Sequence, residues 1–110
     1  MVEIHVRKDS QDRLSSFLAT GHAGWDEDGK DIVCAAIATI LQSAWLGLTD
    51  VAGIDVQGSR EKGRLALVWP EGARDDAAAR AIVATAALSI ERIAQQYPEN
   101  VRVIYKRDDG

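Results

Sequence analysis

The sequence predicts an α+β domain in which two helices pack on one face of a mainly antiparallel sheet. Three observations predict this class. Apolar residues alternate with polar ones at Val2, Ile4 and Val6, a pattern typical of a half-buried strand. Two apolar segments, 31–47 and 74–96, have helical spacing. Short turn sequences join the predicted strands as hairpins, which favours antiparallel pairing.

The first half of the chain is predicted to form a hairpin, a loop and a helix. A turn around residues 8–12 separates the first strand from a second strand over residues 13–20. Glycines predict a loop over residues 21–30, and Asp31 is a favourable N-cap for a helix over 31–47. The side chains that recur at helical spacing are Val33, Ala36, Ile37, Ile40, Ala44 and Leu48. Because this helix is apolar nearly all round, we expect it in the core.

The second half is predicted to form a hairpin, a helix and a final strand. The two hairpin strands cover residues 50–57 and 64–69, with a loop over 58–63 between them. An alanine-rich helix over 74–96 follows, and a strand over 100–106 completes the order ββαββαβ. The side chains expected on one face of this helix are Ile82, Ala86, Ser89 and Ile93.

Length, charge and cysteine content narrow the class of protein. The 110 residues correspond to about one domain, residues 1–110. A net charge of −4 argues against broad electrostatic binding to nucleic acid, which requires a basic face. We expect no membrane span and no secretory signal. A single cysteine excludes an intramolecular disulfide and favours a reducing compartment, so the expected location is cytoplasmic.

The only cysteine, Cys34, is predicted to lie in the first turn of the first helix. If Asp31 is the N-cap, the sulfur is near unpaired backbone N–H groups and the positive end of the helix dipole. This environment favours the thiolate, which is the nucleophilic form, and the same N–H groups could stabilise an oxyanion. The alternative is a small buried residue beside Ala35 and Ala36, since cysteine is often buried.

His22 is the candidate partner of the thiol. It follows the second strand, between Gly21 and two small residues that leave an imidazole uncovered. If the loop folds back over the helix start, His22 and Cys34 form the base and nucleophile of a thiol protease. The alternative is a surface histidine at a strand end, and His5 is expected to face solvent. Trp25, in the same loop, either anchors that loop or contacts a ligand.

The acidic residues before the helix have two interpretations. Asp26, Glu27 and Asp28 form either a solvated loop or an entrance that attracts a positively charged peptide. Asp31 is expected to cap the helix and could also orient His22. One cysteine and two histidines do not match the paired spacing of zinc sites, and the glycines match no phosphate-binding loop. We therefore predict no metal and no cofactor.

Residues 21–36 resemble the signature of the ribosomal-processing cysteine protease family, Prp. The matching motifs are GHAG and GKDIVCAA, followed by an apolar helix, and the similarity in length and element order covers essentially the whole chain. The resemblance implies a bacterial cytoplasmic endopeptidase, commonly a homodimer, that removes the N-terminal extension of the large-subunit ribosomal protein numbered twenty-seven. It implies His22 as general base, Cys34 as nucleophile and Gly21 as the flexible point of the loop.

One position departs from the family pattern. Family members often have Ser four residues after the cysteine, where this chain has Ala38 beside Thr39. If that hydroxyl contacts substrate, the selectivity of this protein is altered.

Two functions from other classes stay open at the level of sequence. The first is a non-catalytic, ribosome-associated module whose acidic loop binds a basic protein tail. The second is a redox sensor that uses Cys34, which would need an external thiol because the chain has no second cysteine.

Overall fold

The computed structural model describes residues 1–21 and 31–108, and it shows the predicted order of strands and helices. A π-helical turn, Gly47–Val51, continues the first helix, and a 3₁₀ turn, Glu71–Ala73, precedes the second. The main elements are β1 (Val2–Lys8), β2 (Leu14–Thr20), α1 (Asp31–Leu46), β3 (Gln57–Glu61), β4 (Arg64–Val68), α2 (Ala77–Gln96) and β5 (Val101–Arg107).

The five strands form one sheet in the order β3-β4-β2-β1-β5. Every neighbouring pair is antiparallel except β1 and β5, which run parallel. Ile4 in β1, for example, pairs with Ala19 of β2 on one side and with Val103 of β5 on the other. The prediction of a mainly antiparallel α+β sheet is therefore confirmed.

Both helices pack on the same face of the sheet. Alternation along β1 turns Val2, Ile4 and Val6 inward, where they are buried, while Glu3 and His5 face the other side and are half-buried. The buried residues of α1 with its π-helical turn are Val33, Cys34, Ile37, Leu41, Ala44 and Leu48. Those of α2 are Ala79, Val83, Ala86, Ala87 and Ile90. These side chains join the inward-facing strand residues in one core cluster.

The helix α1 lies in the core, as predicted, but only along one stripe, although its sequence is apolar nearly all round. Ile32 and Leu46 are 69% and 60% exposed, and two residues of the predicted apolar face, Ala36 and Ile40, are only half-buried. A helix that lies on one face of a sheet can bury only the stripe that contacts that sheet and its neighbours.

The second helix differs from its prediction at its start and in its buried face. It begins at Ala77 instead of residue 74, because Asp76 is the N-cap and its carboxylate accepts a hydrogen bond from the backbone N–H of Ala79 at 3.0 Å. Ile82 and Ser89 are only half-buried and lie at the edge of the buried stripe. The residues that directly follow them, Val83 and Ile90, are buried.

The third strand was predicted in the wrong place, at residues 50–57. It runs from Gln57 to Glu61, because the preceding segment makes its hydrogen bonds with the end of the helix. The N–H of Ile54, for example, donates to the carbonyl of Leu48 at 2.8 Å. Gly63, with a φ of +76°, lies in the turn that joins β3 to β4, so the loop is much shorter than predicted.

Trp69, directly after β4, occupies the core. It is 1% exposed, and its ring packs against Phe17 in an edge-to-face arrangement with centroids 5.1 Å apart. The indole N–H donates to the carbonyl of Leu14 at 2.8 Å, so the buried polar atom is satisfied.

We predicted that no segment has the length and composition to cross a membrane, and in this respect the prediction was wrong. Ile32–Val51 spans 20 residues with a mean hydropathy of 1.8. Core helices of soluble proteins meet the same criterion, and this helix contributes Ile37, Leu41 and Leu48 to the core.

Asp9 links the β1–β2 turn to the segment before α2. Its carboxylate accepts hydrogen bonds from the backbone N–H groups of Gln11 and Arg13, at 2.9 and 3.0 Å, and from the guanidinium groups of Arg13 and Arg74, at 3.0 and 3.1 Å. Arg74 also donates to the carbonyl of Trp69 at 3.1 Å. Burial raises the pKa of Asp9, but the hydrogen bonds and the Arg13 charge outweigh it and lower this pKa to about 2.

We expect Asp9→Asn to lower the free energy of unfolding most at neutral pH. Because the folded-state pKa of about 2 is below the reference value of 3.8, the contribution of Asp9 is fully present above pH 3.8 and is lost as the pH falls towards 2. Urea denaturation of both proteins across this range measures the effect. Asp55→Asn, at an exposed position, is the control. A difference between wild type and Asp9→Asn that stays constant with pH would contradict this account.

Candidate active site

Cys34 is the fourth residue of α1, in its first turn, as predicted. The helix dipole therefore has its positive end beside this residue. The helix begins at Asp31, one residue earlier than an N-cap assignment implies, a difference within the usual uncertainty of helix ends. The side chain of Asp31 lies outside the described residues, so its capping role stays a prediction.

Cys34 lines the wall of a cavity of about 640 Å³. This volume lies within the range of small-molecule binding pockets. Four elements bound the cavity: the start of β1, the end of β2, the first half of α1 and the β3–β4 hairpin. The lining residues are Val2, Ala19, Thr20, Gly21, Cys34, Ile37, Ala38, Leu41, Arg60, Glu61, Lys62, Gly63, Arg64 and Leu65.

The thiol is both a core residue and a cavity residue. Cys34 is 2% exposed and belongs to the core cluster, as the packing interpretation expects. It nevertheless shares the cavity wall with Ala38, one helical turn further along, and with Ile37 and Leu41. Cys34 thus lies between the core cluster and the apolar part of the cavity wall.

The β3–β4 hairpin gives the cavity a charged rim. Arg60, Lys62 and Arg64 face it together with one acidic residue, Glu61. This local excess of positive charge contrasts with the net charge of −4 for the whole chain. Sequence reasoning missed these residues, because a charged hairpin has no local feature that distinguishes a cavity wall from a solvated turn.

Gly21 follows β2, lines the cavity and has a backbone conformation that favours glycine. Its φ is +99°, and a Cβ added there would overlap the carbonyl oxygen of Met1. Its N–H donates to the carbonyl of Gly63 at 3.0 Å, which ties β2 to the hairpin turn. Gly21 therefore packs between two backbones, and its predicted role as a flexible point stays a prediction.

The structure brings three of the predicted site residues to one cavity: Gly21, Cys34 and Ala38. Of the other three, His22 and Trp25 lie outside the described residues, as do the acidic residues of the loop and the side chain of Asp31. The proposed pairing of imidazole and thiol therefore stays a prediction.

No group of three or more potential metal ligands occurs within residues 1–21 and 31–108. His5, the second histidine, projects from the face of the sheet opposite the helices, with its Nε2 3.7 Å from a carboxylate oxygen of Glu3.

Sequence comparison matches residues 1–102 to the family model described as cysteine protease Prp. This chain belongs to the Prp family. The ribosomal processing cysteine protease Prp of Bacillus subtilis (strain 168) is 27% identical over 107 residues, which cover 94% of this chain and 96% of that protein. Prp of Staphylococcus aureus (strain NCTC 8325 / PS 47) is 28% identical over 109 residues, covering 96% and 100%.

Solved structures have the same fold. A structure of Prp from S. aureus with a covalently linked product peptide has a TM-score of 0.85 at 22% identity and covers 96% of this chain and 100% of that one. A protein from Streptococcus mutans has a TM-score of 0.83 at 25% identity, covering 98% and 96%. The α+β fold is confirmed, and Prp membership makes the chain a cysteine protease of the ribosomal-processing type.

We expect Gly21→Ala to destabilise the fold by about 1–3 kcal/mol through backbone strain, with a further loss from overlap with Met1. Two controls separate these effects in urea denaturation. Gly53→Ala has a positive φ, +67°, but open space, and Gly72→Ala has open space without a positive φ. The expected order of stability loss is Gly21 above Gly53 above Gly72. An equal loss at Gly21 and Gly53 would contradict the role of the Met1 contact.

Proposed function

We propose that this protease removes the N-terminal extension of the large-subunit ribosomal protein numbered twenty-seven, with His22 as general base and Cys34 as nucleophile. The observation that carries the proposal is the position of Cys34, in the first turn of α1 and on the wall of a cavity of about 640 Å³. The relatives named as ribosomal processing proteases support the substrate class.

The proposed reaction begins with transfer of the thiol proton to His22. The Cys34 thiolate then attacks the carbonyl carbon of the scissile peptide bond, which gives a tetrahedral oxyanion. Backbone N–H groups at the start of α1 stabilise that oxyanion, because they lie at the positive end of the helix.

Collapse of this intermediate breaks the C–N bond. The protonated His22 donates its proton to the leaving amine, and the extension stays on Cys34 as a thioester. Water, activated by the same imidazole, then hydrolyses the thioester and regenerates the thiol.

The peptide enters between the 21–30 loop and the start of α1. The apolar floor formed by Ile37, Leu41 and Leu65 favours apolar side chains of the substrate. β3 lies at the end of the strand order, and no strand in the described part of the chain pairs with its outer edge. An extended peptide can bind there by adding a strand, a common mode of peptide recognition.

Several finer points are part of the same proposal. Trp25 contacts the ligand or anchors the loop, and Asp31 caps α1. Ala38 lines the cavity where family members often carry Ser, which alters selectivity. We place the enzyme in the cytoplasm as a homodimer, without direct contact to nucleic acid or membrane.

We expect Cys34→Ala to abolish cleavage of the extended ribosomal protein and His22→Ala to lower it by about 100-fold or more, the usual contribution of general-base catalysis. Mass spectrometry of the purified ribosomal protein, incubated with each variant, measures the removed extension. His5→Ala is the matched control, since that histidine projects from the opposite face of the sheet.

The results distinguish a wrong assignment of the catalytic residues from a wrong substrate. Retained cleavage by Cys34→Ala would remove the nucleophile assignment, and full activity of His22→Ala would remove the base. If the wild-type enzyme leaves the extended protein intact, the substrate proposal is wrong.

Alkylation of Cys34 should follow a pH profile with a midpoint below the value of about 8.5 for an ordinary cysteine. The physical reason is that the first turn of α1 favours the thiolate. Iodoacetamide labelling, followed by mass spectrometry across a pH series, measures this profile. A midpoint at or above that of a model thiol would contradict thiolate stabilisation by the helix.

A further inference from the structure

A single aromatic ring on α1 packs directly against the backbone of β3. A Cβ added to Gly58 would lie 2.5 Å from Cε2 and 2.6 Å from Cη2 of Trp45. Real Cβ atoms essentially never show non-bonded contacts under 3.0 Å, so any side chain here would force the ring or the strand to shift. The indole therefore takes the space that a side chain on β3 would fill.

The contact lies close to the cavity that contains the cysteine. Gly58 pairs with Leu67 of β4, and Arg60 pairs with Leu65. Because side chains alternate along a strand, Gly58 and Arg60 face the helices together, about 7 Å apart. Arg60 and Leu65 both line the cavity. A displacement of β3 at Gly58 would therefore move the cavity wall.

The same helix carries both the nucleophile and the ring. Cys34 and Trp45 are eleven residues apart in α1, which corresponds to about 16 Å along the axis. Core packing of Leu41, between them, holds this helix on the sheet. Because α1 carries both Cys34 and the ring that contacts β3, this helix sets the position of the hairpin relative to the sulfur.

β3 has few other attachments to the core. All five of its residues are exposed, and it pairs with β4 at the edge of the sheet. Arg64, across the hairpin, donates to Ser59 at 3.1 Å, a bond within the hairpin that does not anchor it to α1. The ring of Trp45 consequently has a large influence on where the hairpin lies.

We propose that Trp45 and Gly58 are positioning residues that hold the β3–β4 hairpin against α1 and so set the width of the cavity at Cys34. They do not touch the reacting atoms. They act through the hairpin residues that line the cavity. This inference rests on the proposed function, in which a peptide binds in that cavity.

The test uses Gly58→Ala in the full-length enzyme, with cleavage of the extended ribosomal protein as one measurement. We expect kcat/KM to fall by about tenfold or more, since a misplacement of about 1 Å can cost about 100-fold. The loss should appear mainly as a higher KM, because the wall binds substrate and does not react. The pH midpoint of Cys34 alkylation by iodoacetamide should stay unchanged, because the thiol lies on α1 and not on the hairpin.

The rescue variant is Gly58→Ala combined with Trp45→Leu. The smaller side chain makes room for the added methyl group, so the double variant should cleave better than Gly58→Ala alone. Gly72→Ala, where an added Cβ meets nothing within 4 Å, is the control and should match wild type. Wild-type kcat/KM for Gly58→Ala, or no gain in the double variant, would overturn the proposal.

Two further measurements keep the test decisive. If Gly58→Ala does not fold, Trp45→Leu alone must raise KM more than it lowers kcat, and an unchanged KM overturns the proposal.

If wild type does not cleave this substrate, hydrogen exchange replaces cleavage as the measurement. Backbone N–H groups of β3 and β4 should then exchange faster in Gly58→Ala and slow again in the double variant. Unchanged exchange in Gly58→Ala would overturn the positioning role, independently of the substrate.

Discussion

The packing of α1 against the inner face of the sheet is the constraint on which the site depends. Leu41 and Leu48 are fully buried in the stripe that faces the sheet, and Ile37 is nearly so. Burial of each such side chain contributes about 1.5–3 kcal/mol. Cys34 lies one turn before Ile37 in the same stripe, so the interactions that hold the helix also hold the sulfur. The core therefore positions Cys34, the candidate nucleophile.

Strand pairing supplies the other side of the cavity. Thr20 at the end of β2 pairs with Arg64 at the start of β4, and this places the β3–β4 turn beside Gly21. The opposite end of the same strand pair, at Ser16 and Val68, leads to the polar network around Asp9. One end of the sheet thus contacts the charged network around Asp9, and the other end borders the cavity.

Burial of the cysteine has a consequence for selectivity. In the proposed mechanism the peptide carbonyl reaches the sulfur through the cavity that Cys34 lines, because only 2% of this residue is exposed. Folded proteins present few backbone segments able to enter such a space. This restriction suits a protease that has to spare other proteins.

Much of the fold was predictable from local patterns. The period of two in β1 and the helical spacing after residue 31 are properties of neighbouring residues, and they identified strands, helices and the first-turn position of Cys34. The third strand was placed wrongly because the apolar residues of 50–57 look like a strand locally, whereas their backbone groups bond to the helix end. The buried face of α2 was also displaced, since an alanine-rich helix has little contrast between its faces.

Local sequence patterns were enough to identify the class of fold, the family and the candidate nucleophile. These depend on short-range periodicity and on one continuous motif around Cys34. Which residues surround that cysteine depends on contacts between distant parts of the chain. Arg60 and Leu65 reach the cavity because β2 pairs with β4, and Gly58 matters because Trp45 packs on it. Such contacts join residues far apart in the chain, so they arise from strand order and packing and leave no mark on local sequence.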